Sequence, residues 1–316
     1  MISRRSIRIK AMQALYMKEK EPSMSLPQLL SHVDKQLDAY YRLYLFNLYM
    51  LVESANYVNE VAQIRASKHI KTQEDLEVSV RLFHNPITQN VVLSGAYQEG
   101  IKKEKFDISV DRDLFRNVFT KFSESPDYQH YIAKTDPTTV DDFRALTRLY
   151  NNFIANDEMV EHTLEDLIPS WYDDKSAVVQ WVNQTIRQIA DKPDEPAVAT
   201  HKPNEEREAK RFAKNLVETY LFHEAEYSEL IKPKLKNWEE ERIAEMDLLL
   251  IKMGLTEFLY LEDIPVKVTI NEYLEIAKLY STPQSKDFIN GILDGILRDL
   301  KDQNKLRKVG RGAVES

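Results

Sequence analysis

Cysteine is absent from the 316-residue sequence, which excludes disulfides, zinc-thiolate sites and thiol nucleophiles and suits a reducing compartment. Glycine is scarce, at seven residues, and none of them builds a glycine-rich phosphate loop. Neither a nucleophile elbow nor a His-Glu-x-x-His motif occurs, and the seven histidines are scattered singly. His162 with Glu165 and Asp166 comes nearest to a metal cluster, but a solvated acidic helix face accounts for it better. No apolar run approaches the ~18–20 residues of a membrane-spanning helix, and the N-terminus lacks the apolar core of a signal peptide. These absences describe a non-catalytic, cytoplasmic protein with neither metal nor cofactor and no membrane partner.

What is present favours helices. Leu, Ala, Glu and Lys dominate long stretches, and with 43% hydrophobic residues the chain can bury a real core. The fold class is therefore all-α. Residues 27–66 are strongly helical, residues 85–110 read as mixed helix and loop, and Thr139 caps a helix with Asp141 and Asp142 in its first turn. Three prolines in DKPDEPAVATHKP, residues 191–203, mark a linker. Beyond it, Asn204 caps a helix expected to reach about Leu230, and a mostly apolar helix over Trp238–Leu261 should be central and buried. Asp263 and Pro265 start another, and Thr282-Pro283 caps the last, whose Gly291 and Gly295 suggest close approach of a second helix.

Charge is placed unevenly. The chain carries net charge −8, yet residues 1–20 hold six Lys/Arg against Glu19, and residues 298–316 hold six against Asp299, Asp302 and Glu315. Basic ends on an acidic body hint at nucleic acid. In RRSIRIKAMQALY, residues 4–16, the cations Arg4, Arg5, Arg8 and Lys10 crowd a helix start, where the macrodipole does not favour them. At 100° per residue, Ile7, Ala11 and Ala14 make the core face, and Arg5, Ile9, Met12 and Tyr16 share another strip. Tyr16 could pack against neighbouring helices or offer a stacking platform at the far end of a backbone clamp.

The end of the chain narrows the choice. Within IPVKVTINEYLEIAKLYSTPQSKDFINGILDGIL, residues 264–297, stand Pro-x-Lys-Val at 265–268, Ile-Asn-Glu at 270–272, and Phe288-Ile289-Asn290-Gly291 followed by Leu293-Asp294. This stretch resembles the C-terminal helix pair of the NusB family of transcription antitermination factors. AEYSELIKPKL (225–235) and IAEMDLLLIKMGLTEF (243–258) are similar to the family's preceding helices, and Ala11–Tyr16 is similar to the end of its arginine-rich first helix. Two positions depart from the pattern, with Gln284 where an acidic residue is common and Asp287 where a basic one is common.

The resemblance implies NusB-like helical bundles carrying an additional inserted helical module. Its first helix would be residues 1–20, the insertion 21–203, the remainder of the NusB-like domain 204–300, and a basic flexible tail 301–316. It implies a transcription antitermination factor that binds a boxA-type single-stranded RNA in ribosomal-RNA transcription. Its partners would be the small-subunit ribosomal protein acting as NusE and the RNA polymerase antitermination complex. RNA contacts would fall on Arg4, Arg5, Arg8, Lys10 and Tyr16, and protein contacts near Asp247 and Phe288. Two alternatives stand beside it: a helical protein-interaction scaffold without RNA binding, and a domain related to those appended to RNA cytosine methyltransferases. The second lacks the catalytic cysteines here. The insertion carries too many large side chains for a linker, Tyr40, Tyr44, Trp171 and Trp181 among them, so a folded module docked on the remainder is expected.

Overall fold

The computed structural model describes residues 2–76, 78–198, 203–235 and 243–314, and among these no strand occurs. The helices that shape the site and its support are α1 (Arg4–Lys20), α2 (Leu26–Ala66), α3 (Thr139–Arg148), α4 (Trp171–Asp191), α5 (Pro203–Phe222), α6 (Glu224–Ile231), α7 (Glu245–Tyr260), α8 (Val266–Tyr280) and α9 (Ser285–Asp302). The chain divides into two compact units. One comprises residues 38–203, and the other residues 2–37 with 204–316.

In the unit of residues 38–203, the middle of α2, residues 43–52, is apolar enough to be buried all round, with Leu43, Tyr44, Phe46 and Leu48 inaccessible to solvent. The Tyr44 ring stacks on Trp181 of α4 at 4.0 Å, and its hydroxyl pairs with Thr185 Oγ1 at 2.9 Å. Asp142, fully buried, accepts from both Arg81 Nε and Arg81 Nη2 at 2.8 Å and from the Tyr131 hydroxyl at 2.7 Å. A buried carboxylate with three donors avoids the cost of an unpaired charge. The cap of α3 is Thr138, one residue before the expected Thr139, because the reciprocal box needs the three-residue spacing to Asp141. The stretch 85–110 is almost wholly helical, in short pieces separated at Ser94 and at Lys105, which turns left-handed with φ 55°. Part of the proline-rich segment is held in place, since Asn90 Nδ2 donates to the carbonyls of Pro193 and Glu195.

The other unit is built around α7. Leu249, Leu250, Ile251, Met253, Leu255 and Phe258 are inaccessible to solvent over most of its circumference, and α1, α6, α8 and α9 pack on it. The core face of α1 is Ile7, Ala11 and Ala14, as the periodicity indicates, and Met12 joins it. The single helix expected over 204–230 is two, broken at His223. The Asn204 side chain and Trp238 lie outside what is described. Thr282 does not cap α9: its hydroxyl pairs with Ser285 Oγ at 2.8 Å within a turn, and Gln284 takes the N-cap position.

The glycines of α9 do not mark a close helix contact. A Cβ at Gly291 would meet nothing within 4 Å, and one at Gly295 would meet only the flexible Lys234 side chain at 3.6 Å. Close approach occurs instead at Gly254 of α7, where a Cβ would sit 3.0 Å from Leu293.

Of the expected flexible tail 301–316, the described part, residues 301–314, is not loose. Lys308 Nζ donates to the carbonyls of Glu257 at 2.7 Å and Leu261 at 2.9 Å, satisfying the C-terminal end of α7, and the Val309 amide donates to Glu262 O at 3.0 Å. A Cβ at Gly312 would fall 2.2 Å from the Glu262 carbonyl oxygen. Gly312→Ala should therefore loosen this strap and lower stability by about 1–2 kcal/mol in urea unfolding; an unchanged midpoint would show that the strap contributes nothing.

Candidate nucleic-acid interface

The four cations of α1 separate into two pairs. Arg8 is 2% exposed and fully committed: Nε donates to Glu257 Oε1 at 2.7 Å and Nη2 to Glu257 Oε2 at 3.0 Å. Glu257, itself 0% exposed, also accepts from Thr269 Oγ1 and from the Tyr273 hydroxyl, both at 2.9 Å. Burial alone would lower the Arg8 pKa, but the charge and hydrogen bonds of Glu257 more than offset it, so the guanidinium stays charged. Burial, then the Glu257 charge, pushes the Tyr273 hydroxyl well above its ordinary range, keeping it a donor. Lys10 is buried as well, at 1% exposure. Arg8 and Lys10 are thus corrected from phosphate contacts to interior residues: they flank the apolar arc of α1, and tertiary packing closes over both.

Arg4 and Arg5 remain toward solvent. Arg5 forms a fork on Glu272 of α8, Nε to Oε2 at 3.0 Å and Nη2 to Oε1 at 3.1 Å, yet keeps 41% of its side chain exposed. Arg4 is exposed and lies over the Phe212 ring of α5, with Cζ 4.6 Å from the ring centroid. Tyr16 is half-buried against the core, and Lys20 Nζ lies 5.2 Å from its ring centroid while pairing with Glu245.

Arg4 opens onto a groove of about 900 Å³ whose other wall is α5. Arg207, Lys210, Arg211 and Lys214 line it together with Glu208, Glu218 and Asp263. Sequence reading passed over these α5 cations although their spacing is helical. Residues 207, 211 and 214 share one stripe opposite the buried Leu216 and Tyr220.

Asp247 and Phe288 both face inward. Asp247, 5% exposed, accepts from the hydroxyls of Ser281 and Ser285, the latter at 2.7 Å, and so fastens the start of α7 to the α8–α9 turn. Phe288, 9% exposed, belongs to the same core. Among the described residues no group of three metal-ligating side chains gathers, and no helix is long and apolar enough to cross a membrane.

The NusB family model matches residues 175–298. The chain is 44% identical over 111 residues to the transcription antitermination protein NusB of Salinibacter ruber, covering 35% of this chain and 69% of that protein. The chain belongs to the NusB family. The NusB of Chloroherpeton thalassium is 40% identical over 107 residues, covering 34% of this chain and 51% of that protein. For the NusB of Methylacidiphilum infernorum the figures are 47% over 90 residues, 27% and 63%. No solved structure matches. The family match begins within α4, and α1 lies outside it; the Arg8–Glu257 pair nonetheless joins α1 to the matched helices, so the NusB-like unit gains its first helix through tertiary packing.

Proposed function

We propose that this NusB-family chain is a non-catalytic transcription antitermination factor that binds a boxA-type single-stranded RNA together with the ribosomal protein serving as NusE. The observation that carries this reading is the cationic groove at the start of α1, in a chain of net charge −8. The relatives named as antitermination proteins support the class of function. Arg4 and Arg5 are assigned the RNA backbone and Tyr16 a base, while Arg8 and Lys10 hold α1 in place. The ribosomal protein is assigned the surface formed by the starts of α7 and α9, which Asp247 and Phe288 shape from within. Most of residues 38–203 precede the family match and have no counterpart role to inherit.

Fluorescence anisotropy with a boxA-type RNA at several salt concentrations tests the reading. Arg4→Gln should reduce the slope of log affinity against log salt by about 0.7, the contribution of one phosphate on a single strand. Tyr16→Ala should weaken binding by about 1–3 kcal/mol with the slope retained. Absent or salt-independent binding by the wild type would favour a protein-interaction scaffold instead.

A further inference from the structure

We infer that the α5 face of the groove is a second phosphate track, which carries the backbone of the RNA past α1 without reading its sequence. This rests on the RNA-binding reading of the same unit and extends it to residues outside the first helix. Arg207 and Arg211 are exposed one turn apart on α5, and Lys214 continues their stripe. From residue 207 to 214 the helix advances about 10 Å, so the cations form a row rather than a cluster.

A row of cations on an open wall suits a chain of phosphates. A single small anion would require donors converging on one point from a buried pocket, and these side chains stand side by side on a helix surface. The groove does contain carboxylates, Glu208, Glu218 and Asp263, and Lys214 pairs with Asp34 at 2.7 Å. Arg207 and Arg211 therefore carry the assignment, with Arg4 opposite them. Phe212, the aromatic residue at the groove, is 8% exposed and its face is covered by Arg4. It offers no platform to a base. The track thus contributes charge without stacking, and charge without base contacts does not discriminate sequence.

The test is the double variant Arg207→Gln/Arg211→Gln in the full chain. Both positions are exposed and Gln keeps helix propensity, so circular dichroism should match the wild type. Anisotropy is read with a boxA-type RNA, with a scrambled RNA of equal length, and with polyglutamate as an acidic-peptide probe. The expected result is a salt slope reduced by about 1.4, two phosphates at 0.7 each, with the same fractional loss of affinity for both RNAs. A wild type that binds RNA with a salt-dependent affinity, and a double variant with an unchanged slope, would overturn the α5 track while leaving RNA binding through α1 intact. Loss of affinity confined to boxA-type RNA would overturn it by showing sequence readout at these arginines. Loss of polyglutamate binding with RNA binding unchanged would overturn it in favour of an acidic peptide. No RNA binding by the wild type would remove the functional reading itself, and the track with it.

Discussion

Glu257→Ala is expected to destabilise the NusB-like unit by about 3–5 kcal/mol, the cost of stranding one member of a buried ion pair. Glu257 accepts from both Nε and Nη2 of Arg8, and it also receives Thr269 and Tyr273. Its removal leaves a guanidinium at 2% exposure facing the Tyr273 hydroxyl, which has lost its Glu257 acceptor, and the Thr269 hydroxyl, left with the Pro265 carbonyl at 3.4 Å. Glu272, whose Oε2 is 3.9 Å from Arg8 Nη1, is already engaged by Arg5 and is too distant to substitute. Urea unfolding of the full chain, followed by circular dichroism, measures the loss. The double replacement Arg8→Met/Glu257→Leu removes both charges and should recover most of it, because an apolar pair of similar volume can replace a buried ion pair at little cost. A loss below about 1 kcal/mol for Glu257→Ala would mean that Arg8 reaches water.

Asp247→Ala should cost about 2–3 kcal/mol, since two hydroxyl donors to a nearly buried carboxylate are lost together. The fastening it provides is between elements: Ser281 ends α8, Ser285 begins α9, and Asp247 lies in the first turn of α7. Asp247→Asn keeps one acceptor oxygen and should cost less than half as much. Binding to the proposed ribosomal-protein partner should weaken in proportion to the loosening of this turn. If Asp247→Ala leaves the unfolding midpoint in place and abolishes partner binding, the carboxylate is itself a contact residue.

Much of the architecture was legible because it depends on local spacing. The helix over Leu26–Ala66 and the buried circumference of Glu245–Tyr260 follow from apolar periodicity, which is present in any short window of sequence. Caps were read to within a residue or two, and failed where a hydroxyl had a better partner: Ser285 draws Thr282 into a turn that also serves Asp247. The glycines of α9 misled because low propensity says that a position is unusual, and only the neighbouring helix says why. Gly254, which does permit a close approach, is unremarkable in the sequence.

Local pattern along the chain is enough for the helical class, the NusB-like helix pair at the end of the chain and the concentration of cations at its start. Which of those cations meet solvent depends on packing between distant elements. Arg4, Arg5, Arg8 and Lys10 are chemically alike along the chain, and helical phase leaves Arg8 and Lys10 at the margin of the apolar arc. What draws Arg8 inward is Glu257, 249 residues away, and a buried guanidinium is tolerable only with such a partner. In the same way the α5 stripe becomes a groove only because folding sets Arg4 across from it. Local periodicity fixes the face a side chain occupies, whereas desolvation and pairing depend on groups that the chain brings together from afar.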